Sequence, residues 1–382
     1  MNRIEYGKYI AFHPGYYVKD YMEGAGMSQE ELAMRLDTSP KYVSNLVNGR
    51  INLTPEMALR LSLTFNTSTK LWLNLNQKYI EVNLLIEQEK RMKEECELAK
   101  HLDYRFWSDL GLVDKNAIGP KKVIELLGLF RISSLNVLRE RDFIVNFRFS
   151  TFDISDVNIM NANAWVQTAI NFAYKKETQK FQRKKLLSAI DEIRSMTHMA
   201  PAEFLPILDN LFSDCGVAFV LLPYLKNSNV YGAVKWLGKD KVMIAINDRR
   251  KYSDVFWFSL FHEIGHVLQQ RLKVLNISGE GDWGLESNAL LIRLEVEANI
   301  FAQDSLIPPS KYFEFLETSD GKYTPEKICE FAKEIGIHPG LVVARLQQDN
   351  WLSHNSHCNS LKEKYDDKSL LSNMVSLGLK CN

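Results

Sequence analysis

The chain has 382 residues, enough for two or three domains that each bury a core of their own. Lysine plus arginine equals aspartate plus glutamate at 47 each, so the overall charge argues neither for nor against binding to nucleic acid, and any DNA contact must come from a local patch. The five scattered cysteines include no C-x-x-C pair, and neither a signal peptide nor a membrane-spanning run is evident, so we expect a cytoplasmic protein without disulfides or a membrane partner.

Residues 1–80 are predicted to form a small all-helical domain, because helix-start signals recur along them. Ser28 opens a capping box, while Ser39-Pro40 and Thr54-Pro55 each place an N-cap before a proline at the first helical position. The first two of these helices are separated by a short turn at Asp37-Thr38. This spacing is typical of a helix-turn-helix, although a generic helical bundle would show similar caps.

The helix from Ser39 to Asn48 is the predicted DNA-reading element of this domain. Its apolar residues, which are expected to face the core, are Val43, Leu46 and Val47. Its other side carries short polar and basic groups that can reach base edges or phosphates. The predicted DNA contacts are Ser39, Lys41, Tyr42, Ser44, Asn45 and Arg50, with Arg50 contacting a phosphate.

Four segments between residues 10 and 80 carry a family resemblance. They read H-P-G-Y-Y, S-Q-E-E-L-A, S-P-K-Y-V-S-N-L-V-N-G-R and T-S-T-K-L-W-L-N-L-N. Together they resemble the HigA-type antitoxins of the Cro/repressor-like helix-turn-helix class. The resemblance implies binding to a double-stranded DNA operator, usually as a homodimer. Basic residues only slightly outnumber acidic ones here, so the non-specific affinity for phosphates is expected to be modest.

Residues 81–194 are predicted to be a helical linker and middle region. The stretch 81–100 is charge-dense and lacks glycine and proline, which favours a solvated connecting helix that could also serve in dimerisation. Further helices are predicted at Lys121–Phe130 and Ala162–Tyr174, and an extended segment at Arg141–Phe149. No cofactor motif or phosphate-binding loop occurs in this region, so its sequence predicts no function.

Three β-rich runs are predicted to begin the C-terminal domain, residues 195–350. They are Val217–Leu222, Val230–Leu237 and Lys241–Ile246. A small sheet with an exposed edge could pair with an extended substrate peptide. The segment Tyr231–Leu237 is the candidate edge, although a plain core strand fits its periodicity equally well.

A candidate metal motif follows within Ser253–Gln270, where His262 and His266 lie four residues apart. On a helix this spacing puts both imidazoles on one face, where they can share a tetrahedral zinc ion. Glu263, on the same turn, is the predicted catalytic general base. Short motifs of this kind also arise by chance from ordinary core histidines, but the apolar flanks here indicate a buried helix.

A third ligand is expected on a second helix, within Leu294–Pro308. Glu295 and Asn299 share one face of it, so Glu295 can bind the metal while Asn299 bonds a histidine ligand from behind. Glu297 is the rival ligand, but it lies about 200 degrees round the helix from Glu295, so only one of the two can face the metal. Glu295 is preferred because its face also carries small and polar residues.

These paired motifs, H-E-I-G-H and E-x-x-A-N-x-F-A with a proline-terminated apolar stretch, resemble the ImmA/IrrE family of zinc metallopeptidases. The resemblance covers roughly residues 195–348. It implies a zincin-like domain that binds Zn²⁺ through His262, His266 and Glu295, with Glu263 as the base. Members of the family are associated with cleavage of helix-turn-helix repressors.

The predicted fold class is α+β and mostly helical, with an all-α helix-turn-helix domain, a helical middle region and a zincin-like domain that contains a small sheet. Helices at Pro325–Ile335 and Pro339–Gln348 close the last domain, and residues 351–382 form a tail. We predict a DNA-binding regulator with a zinc-dependent endopeptidase that cleaves a repressor, a toxin-antitoxin partner or this chain itself. The alternative is a non-proteolytic antitoxin or repressor whose metal domain is a sensor or interaction module.

Overall fold

A computed structural model describes residues 2–140, 143, 155–248, 252–270, 276–279 and 289–365. The extended segment predicted at 141–149 and the last part of the predicted tail lie outside these residues, apart from Phe143. The chain forms two compact units that divide between Cys96 and Glu97. The domain boundary that the sequence predicts after residue 80 does not coincide with this division. Residue 80 lies inside one continuous helix, α5 (Thr69–Ala99), which no glycine or proline interrupts.

The N-terminal unit contains five helices, of which α5 is the last. They are preceded by a hairpin of β1 (Arg3–Tyr6) and β2 (Tyr9–Phe12), which the sequence pattern did not predict. The other four helices are α1 (Pro14–Gly24), α2 (Gln29–Arg35), α3 (Pro40–Val47) and α4 (Pro55–Thr64). The caps predicted at Ser28, Ser39 and Thr54 are confirmed, since each hydroxyl accepts a hydrogen bond from the backbone N–H three residues later.

The turn between α2 and α3 is held by Arg60, which projects from α4. Its guanidinium donates hydrogen bonds to the carbonyls of Leu36 at 2.8 Å and Asp37 at 2.7 Å, and it also pairs with Glu56 at 2.6 Å. Asp37 adopts a left-handed backbone with φ of 50°. Because Arg60 satisfies the carbonyls that the end of α2 leaves unpaired, it fixes the angle at which α3 leaves the turn.

The C-terminal unit is built on a four-stranded sheet with the order β3-β5-β4-β6. The strands are β3 (Val217–Leu222), β4 (Val230–Trp236), β5 (Val242–Asn247) and β6 (Asn276–Gly279). β3 runs parallel to β5, whereas β4 is antiparallel to both β5 and β6. The candidate edge at Tyr231–Leu237 is therefore wrong and the alternative, a plain core strand, is confirmed, because β6, which comes from a polar, glycine-rich stretch, pairs with that side of β4.

Helices cover both faces of this sheet. On one face, Phe219 and Leu221 share a core with α12 (Ser253–Leu268), the helix predicted to bind the metal. Alternate residues of β3 point to the other face, where α8 (Asp156–Lys175) packs and Trp165 donates a hydrogen bond to the Pro223 carbonyl at 3.0 Å. Part of the region predicted as a linker thus belongs to the same compact unit as the sheet.

Nine further α-helices complete the description of this unit. They are α6 (Tyr104–Asp109), α7 (Pro120–Phe130), α9 (Arg183–Ser188), α10 (Ile190–Ser195), α11 (Pro201–Cys215), α13 (Ala289–Leu306), α14 (Pro309–Ser319), α15 (Pro325–Ile335) and α16 (Pro339–Gln348). The predicted bounds of α15 and α16 are confirmed, while α14 was not predicted. No helix within the described ranges combines the length and the apolar composition needed to cross a bilayer.

Residues 351–365, the C-terminal strap, lie within the predicted tail, and residues 362–365 contact the start of α12. The Tyr365 hydroxyl accepts a 2.8 Å hydrogen bond from the indole N–H of Trp257. The Glu363 carbonyl accepts one from the Ser253 N–H at 3.0 Å, and Lys362 pairs with Asp254 at 3.0 Å. The predicted tail boundary at residue 351 therefore cuts through a part of the core.

Candidate metal centre and DNA-binding surface

The two histidines of the predicted metal motif lie on one buried face of α12, which packs closely against α13. His262 is 5% exposed and His266 is 1% exposed. Glu263, which follows His262 in the sequence, is completely buried. Gly265 allows the two helices to approach, because a Cβ at this position would lie only 3.1 Å from the Cα of Ala298 on α13. The close packing brings the third predicted ligand within reach of both imidazoles.

The donor atoms of His262, His266 and Glu295 converge. The Nε2 atoms of the two histidines lie 3.0 Å apart. The carboxylate oxygens of Glu295 lie 3.3 Å from His262 Nε2 and 3.1 Å from His266 Nε2. All three donors fall within 4.8 Å of one another. Glu297 points elsewhere and pairs with Arg293 at 2.7 Å. The structure thus places Glu295, not its rival, beside the histidines, as the helix geometry predicts.

Two side-chain amides orient the histidine rings from behind. The Oδ1 of Asn299 lies 2.9 Å from His262 Nδ1, and the Oε1 of Gln269 lies 3.0 Å from His266 Nδ1. An amide oxygen only accepts hydrogen bonds, so each Nδ1 carries its proton and, in the neutral ring, each Nε2 presents a lone pair to the centre. Asn299 holds the position predicted for it.

The converging donors need a positive charge among them. Burial acts to raise the pKa of Glu295, but when the histidine Nε2 atoms carry protons, their hydrogen bonds and charge outweigh burial and lower the pKa to about 2, so the carboxylate is ionised. Two imidazole lone pairs and a carboxylate repel one another unless a proton or a metal ion lies between them. Two nitrogens and one carboxylate oxygen form a ligand set that suits Zn²⁺ and leaves a fourth position open.

Sequence reasoning missed Gln269, although a signal was present. The residue follows His266 by three positions, a spacing at which side chains on a helix are neighbours. Two other polar residues of the C-terminal unit have structural partners: His338 caps α16 by accepting a hydrogen bond from the Gly340 N–H at 3.1 Å, and Arg345 pairs with Asp349 at 2.7 Å.

The predicted DNA-reading helix, α3, has one buried and one accessible side. Val43, Leu46 and Val47 are buried, as predicted. Of the predicted contacts, Ser39, Lys41 and Arg50 are exposed, while Tyr42, Ser44 and Asn45 are half-buried. Within the part of the chain that the structure describes, no ion pair engages Lys41 or Arg50, so both cations are available to a phosphate.

Tyr42 and Ser39 also have structural duties. Tyr42 packs against the core of the N-terminal unit, and the Ser39 hydroxyl accepts a 3.2 Å hydrogen bond from the Tyr42 N–H. A serine hydroxyl that accepts a cap bond still has its own proton to donate. The six predicted residues therefore lie on or beside one helix, but only some of them are free of a role in the fold.

Comparisons with known proteins match the helix-turn-helix part of the chain. A helix-turn-helix family model matches residues 18–72, which include α2 and α3. The HTH-type transcriptional regulator YddM of Escherichia coli K12 is 33% identical over 66 residues, covering 17% of this chain and 70% of that protein. YbaQ of the same organism, also named an HTH-type transcriptional regulator, is 37% identical over 81 residues, covering 21% of this chain and 68% of YbaQ.

A relative from another organism agrees. Virulence-associated protein A' of Dichelobacter nodosus is 35% identical over 68 residues, covering 18% of this chain and 59% of its own length. The matched family model, the shared identity over most of YddM, and the capped pair α2 and α3 agree on one kind of domain. The chain therefore belongs to the helix-turn-helix family of transcriptional regulators, and its N-terminal unit contains the DNA-binding domain.

Proposed function

We propose that this chain is an operator-binding regulator that also acts as a zinc-dependent endopeptidase on a protein of the same regulatory system. The substrate is a helix-turn-helix repressor, a toxin-antitoxin partner or this chain itself. The observation that carries the proposal is the convergence of His262, His266 and Glu295, with Glu263 on the same turn of α12. The resemblance of both motifs to the ImmA/IrrE metallopeptidases supports it.

The chemistry divides between the metal and the chain. His262, His266 and Glu295 would hold a zinc ion, which would supply Lewis-acid chemistry for a peptide carbonyl and for the attacking water. Glu263 takes the proton from the attacking water and delivers it to the leaving amine. Asn299 keeps the Nε2 of His262 directed at the centre. Each role is assigned to one side chain, so each can be removed separately.

The sheet indicates how a substrate would be presented. β6 is an edge strand of the described sheet and pairs on one side with β4. An extended peptide that adds to this edge would form main-chain hydrogen bonds with little dependence on its sequence. We therefore expect the cleaved bond to lie in an extended, unstructured segment of the substrate, such as the linker of a repressor.

The first test measures the zinc content of the purified full chain. We expect about one zinc per chain, lost in His262→Ala, because four-coordinate sites of this type depend on every protein ligand. Glu263→Gln should keep the zinc but lose cleavage of the neighbouring gene products by about 10²- to 10⁴-fold, the usual contribution of a general base. Glu297→Gln is the matched control on the exposed side of α13 and should change neither.

The outcomes of this test separate the candidates. A Glu263→Gln protein with full cleavage activity would contradict the catalytic assignment. Absence of zinc from the wild-type protein, after metal supplementation, would contradict the metal site itself. In that case the C-terminal unit would be an adaptor, and DNA binding would carry the function.

A second candidate is a metal sensor without turnover, in which zinc occupancy controls operator binding. The burial of both histidines favours it, since, of the three converging side chains, Glu295 is the most accessible in the part of the chain that the structure describes, with 28% of its side chain exposed. Under this alternative, chelation changes operator affinity while no neighbouring gene product is cleaved. Under the peptidase proposal, cleavage requires zinc and a binding assay with uncleaved protein is insensitive to the chelator.

The operator itself can be tested with the promoter region upstream of the gene. Lys41→Ala should weaken binding on all sequences and reduce the slope of log affinity against log salt by about one, because it removes one phosphate contact. Asn45→Ala should cost about 1–3 kcal/mol on the specific site and relax the preference at one base pair. Lys78→Ala, an exposed lysine on α5, serves as the control and should leave both unchanged. We expect the binding species to be a homodimer.

A further inference from the structure

We propose that Gln269 is a positioning residue of the metal centre, which fixes His266 with one end of its amide and the third-ligand helix with the other. The inference rests on the proposed zinc site and adds a residue to it. Gln269 lies directly after the last residue of α12, and its side chain is half-buried beside His266. Its two amide atoms have two different partners.

The orientation of the amide follows from its second partner. Gln269 Nε2 donates a 2.7 Å hydrogen bond to the backbone carbonyl of Leu294. Only the NH₂ group can make this bond, so the oxygen is the atom that faces His266 Nδ1 at 3.0 Å. His266 must then carry its proton on Nδ1, and Nε2 is left to bind a metal. The carbonyl of Leu294 therefore determines the tautomer of a ligand on the other helix.

The same amide also places the third ligand. Leu294 directly precedes Glu295, so the bond from Gln269 holds the backbone of α13 one residue from the carboxylate that faces both histidines. Asn299 makes the reciprocal link, since it projects from α13 to His262 on α12. The two amides cross-link the helices on either side of the donor atoms, and Gly265 provides the close approach that both links require.

An ordinary role in ending the helix does not account for this geometry. The Gln269 side chain bonds to a ligand ring and to a neighbouring helix, and no hydrogen bond from it to a carbonyl of α12 is found among the described residues. The turn after it is made by the backbone, since Gln270 has a left-handed φ of 52°. A residue that only terminated α12 would need neither of its two side-chain partners.

The test compares Gln269→Leu, which removes both bonds, with Gln269→Glu, which keeps an acceptor for His266 and loses the donor to Leu294. Zinc affinity is measured by competition with a chromophoric chelator. The ring nitrogens of His266 are followed by ¹⁵N NMR in zinc-free and zinc-loaded protein, with the signal assigned from a His266→Gln variant. Gln348→Leu, an exposed glutamine at the end of α16, is the matched control.

We expect Gln269→Leu to weaken zinc binding by about 10- to 100-fold, the usual effect of removing such a partner. In the zinc-free protein, its His266 signals should shift from the Nδ1–H form towards a mixture of tautomers. Gln269→Glu should keep the Nδ1–H signature and bind zinc more tightly than Gln269→Leu. Gln348→Leu should match the wild-type protein in both measurements.

Two failures remain distinguishable. If wild-type protein binds zinc and Gln269→Leu binds it equally well with unchanged His266 signals, the positioning role is overturned while the proposed function stands. A loss of thermal stability in zinc-free Gln269→Leu, with the tautomer unchanged, would also overturn it, since that is the result of a purely structural role. If the wild-type chain binds no zinc, the proposed function itself fails.

Discussion

Gly265 shows how a missing side chain can shape a site as much as the ligands do. It lies between the two histidines of α12, at the point where α13 passes. Its hypothetical Cβ would lie 3.1 Å from the Cα of Ala298 and 3.3 Å from the ring of Phe301. Since the first of these atoms is backbone, the helices would have to separate to make room, and Glu295 would move with α13.

We predict that Gly265→Ala lowers the free energy of unfolding of the C-terminal unit by up to about 2 kcal/mol and weakens zinc binding. Overpacking of this kind costs about 1–3 kcal/mol, and the better helix propensity of alanine returns about 1 kcal/mol. Urea denaturation of the zinc-free protein and chelator competition would measure the two effects.

Gly128→Ala on α7 is the matched control, because a Cβ there meets nothing within 4 Å. It should raise the free energy of unfolding by up to about 1 kcal/mol through helix propensity alone. Equal effects at both glycines would contradict the close-contact argument.

At this scale the sequence predicted the residues whose relations are local. The i, i+4 spacing places His262 beside His266 on any helix, and the angle round a helix separates Glu295 from Glu297. Gln269 could not be predicted with a role, because its second partner is a backbone carbonyl on another helix. The distance between α12 and α13 is set by the packing of the two helices, and it cannot be predicted from the spacing of residues within one helix. The zinc ion itself stays a prediction.

Among the elements, α3 illustrates how one residue can combine a fold role with a recognition role. Ser39 is its N-cap and is exposed at the helix terminus that would approach a phosphate. The N-terminal end of a helix attracts anions through its free N–H groups and its dipole. Capping and DNA contact are therefore expected to depend on the same hydroxyl, and a charge change can separate them.

We predict that Ser39→Asp keeps the stability of the N-terminal unit but abolishes most operator binding. Aspartate caps helices as well as serine does, whereas its charge repels the phosphate. Ser39→Ala should instead lower the free energy of unfolding by about 1 kcal/mol. Thermal melts would measure the stability of each variant, and gel shifts on the same samples would measure its operator binding.

For comparison, Thr54→Asp at the cap of α4, which is not among the predicted DNA contacts, should leave operator binding intact. The contact assignment at Ser39 would be wrong if both aspartate variants bound the operator equally well.

The elements that could be predicted are those with their own start and stop signals. Four predicted helices have proline at their first position, namely α3, α4, α15 and α16. Each begins at the residue predicted for it, because the signal that starts a helix is local. The hairpin of β1 and β2, and strand β6, were missed because each strand is only four residues long and is defined by its pairing partner. For the same reason the sequence could not decide between an edge and a core strand for β4, since periodicity does not reveal a neighbour that comes from a polar stretch.

At the scale of the whole molecule, the stability of the C-terminal unit depends on the C-terminal strap, which lies about 100 residues after α12 in the chain. Tyr365 is 2% exposed, its ring packs against Phe204 and Phe256, and its hydroxyl bonds to Trp257. Burial raises the pKa of the Tyr365 hydroxyl above its ordinary value, as expected for a phenol held in the neutral form. A single aromatic residue among charged neighbours gave no periodic signal, so the sequence predicted only a tail.

We predict that Tyr365→Ala destabilises the C-terminal unit by about 3–5 kcal/mol, the usual cost of removing a large buried aromatic side chain. Tyr365→Phe should cost about 1–3 kcal/mol, because it leaves the indole N–H of Trp257 buried without its acceptor. Tyr174→Ala, at a tyrosine that is 57% exposed, is the control and should change stability by less than about 0.5 kcal/mol. Chemical denaturation followed by tryptophan fluorescence would test all three.

The strap also affects how shortened versions of this protein should be interpreted. A fragment that stopped at the end of α16 would keep every proposed ligand, yet it would expose Trp257 and the aromatic cluster five residues before His262 on the same helix. If such a fragment failed to hold zinc or to cleave a substrate, the result would report on the cut and not on the ligands. A loss of zinc binding or cleavage counts against the metal centre only if the fragment retains Tyr365.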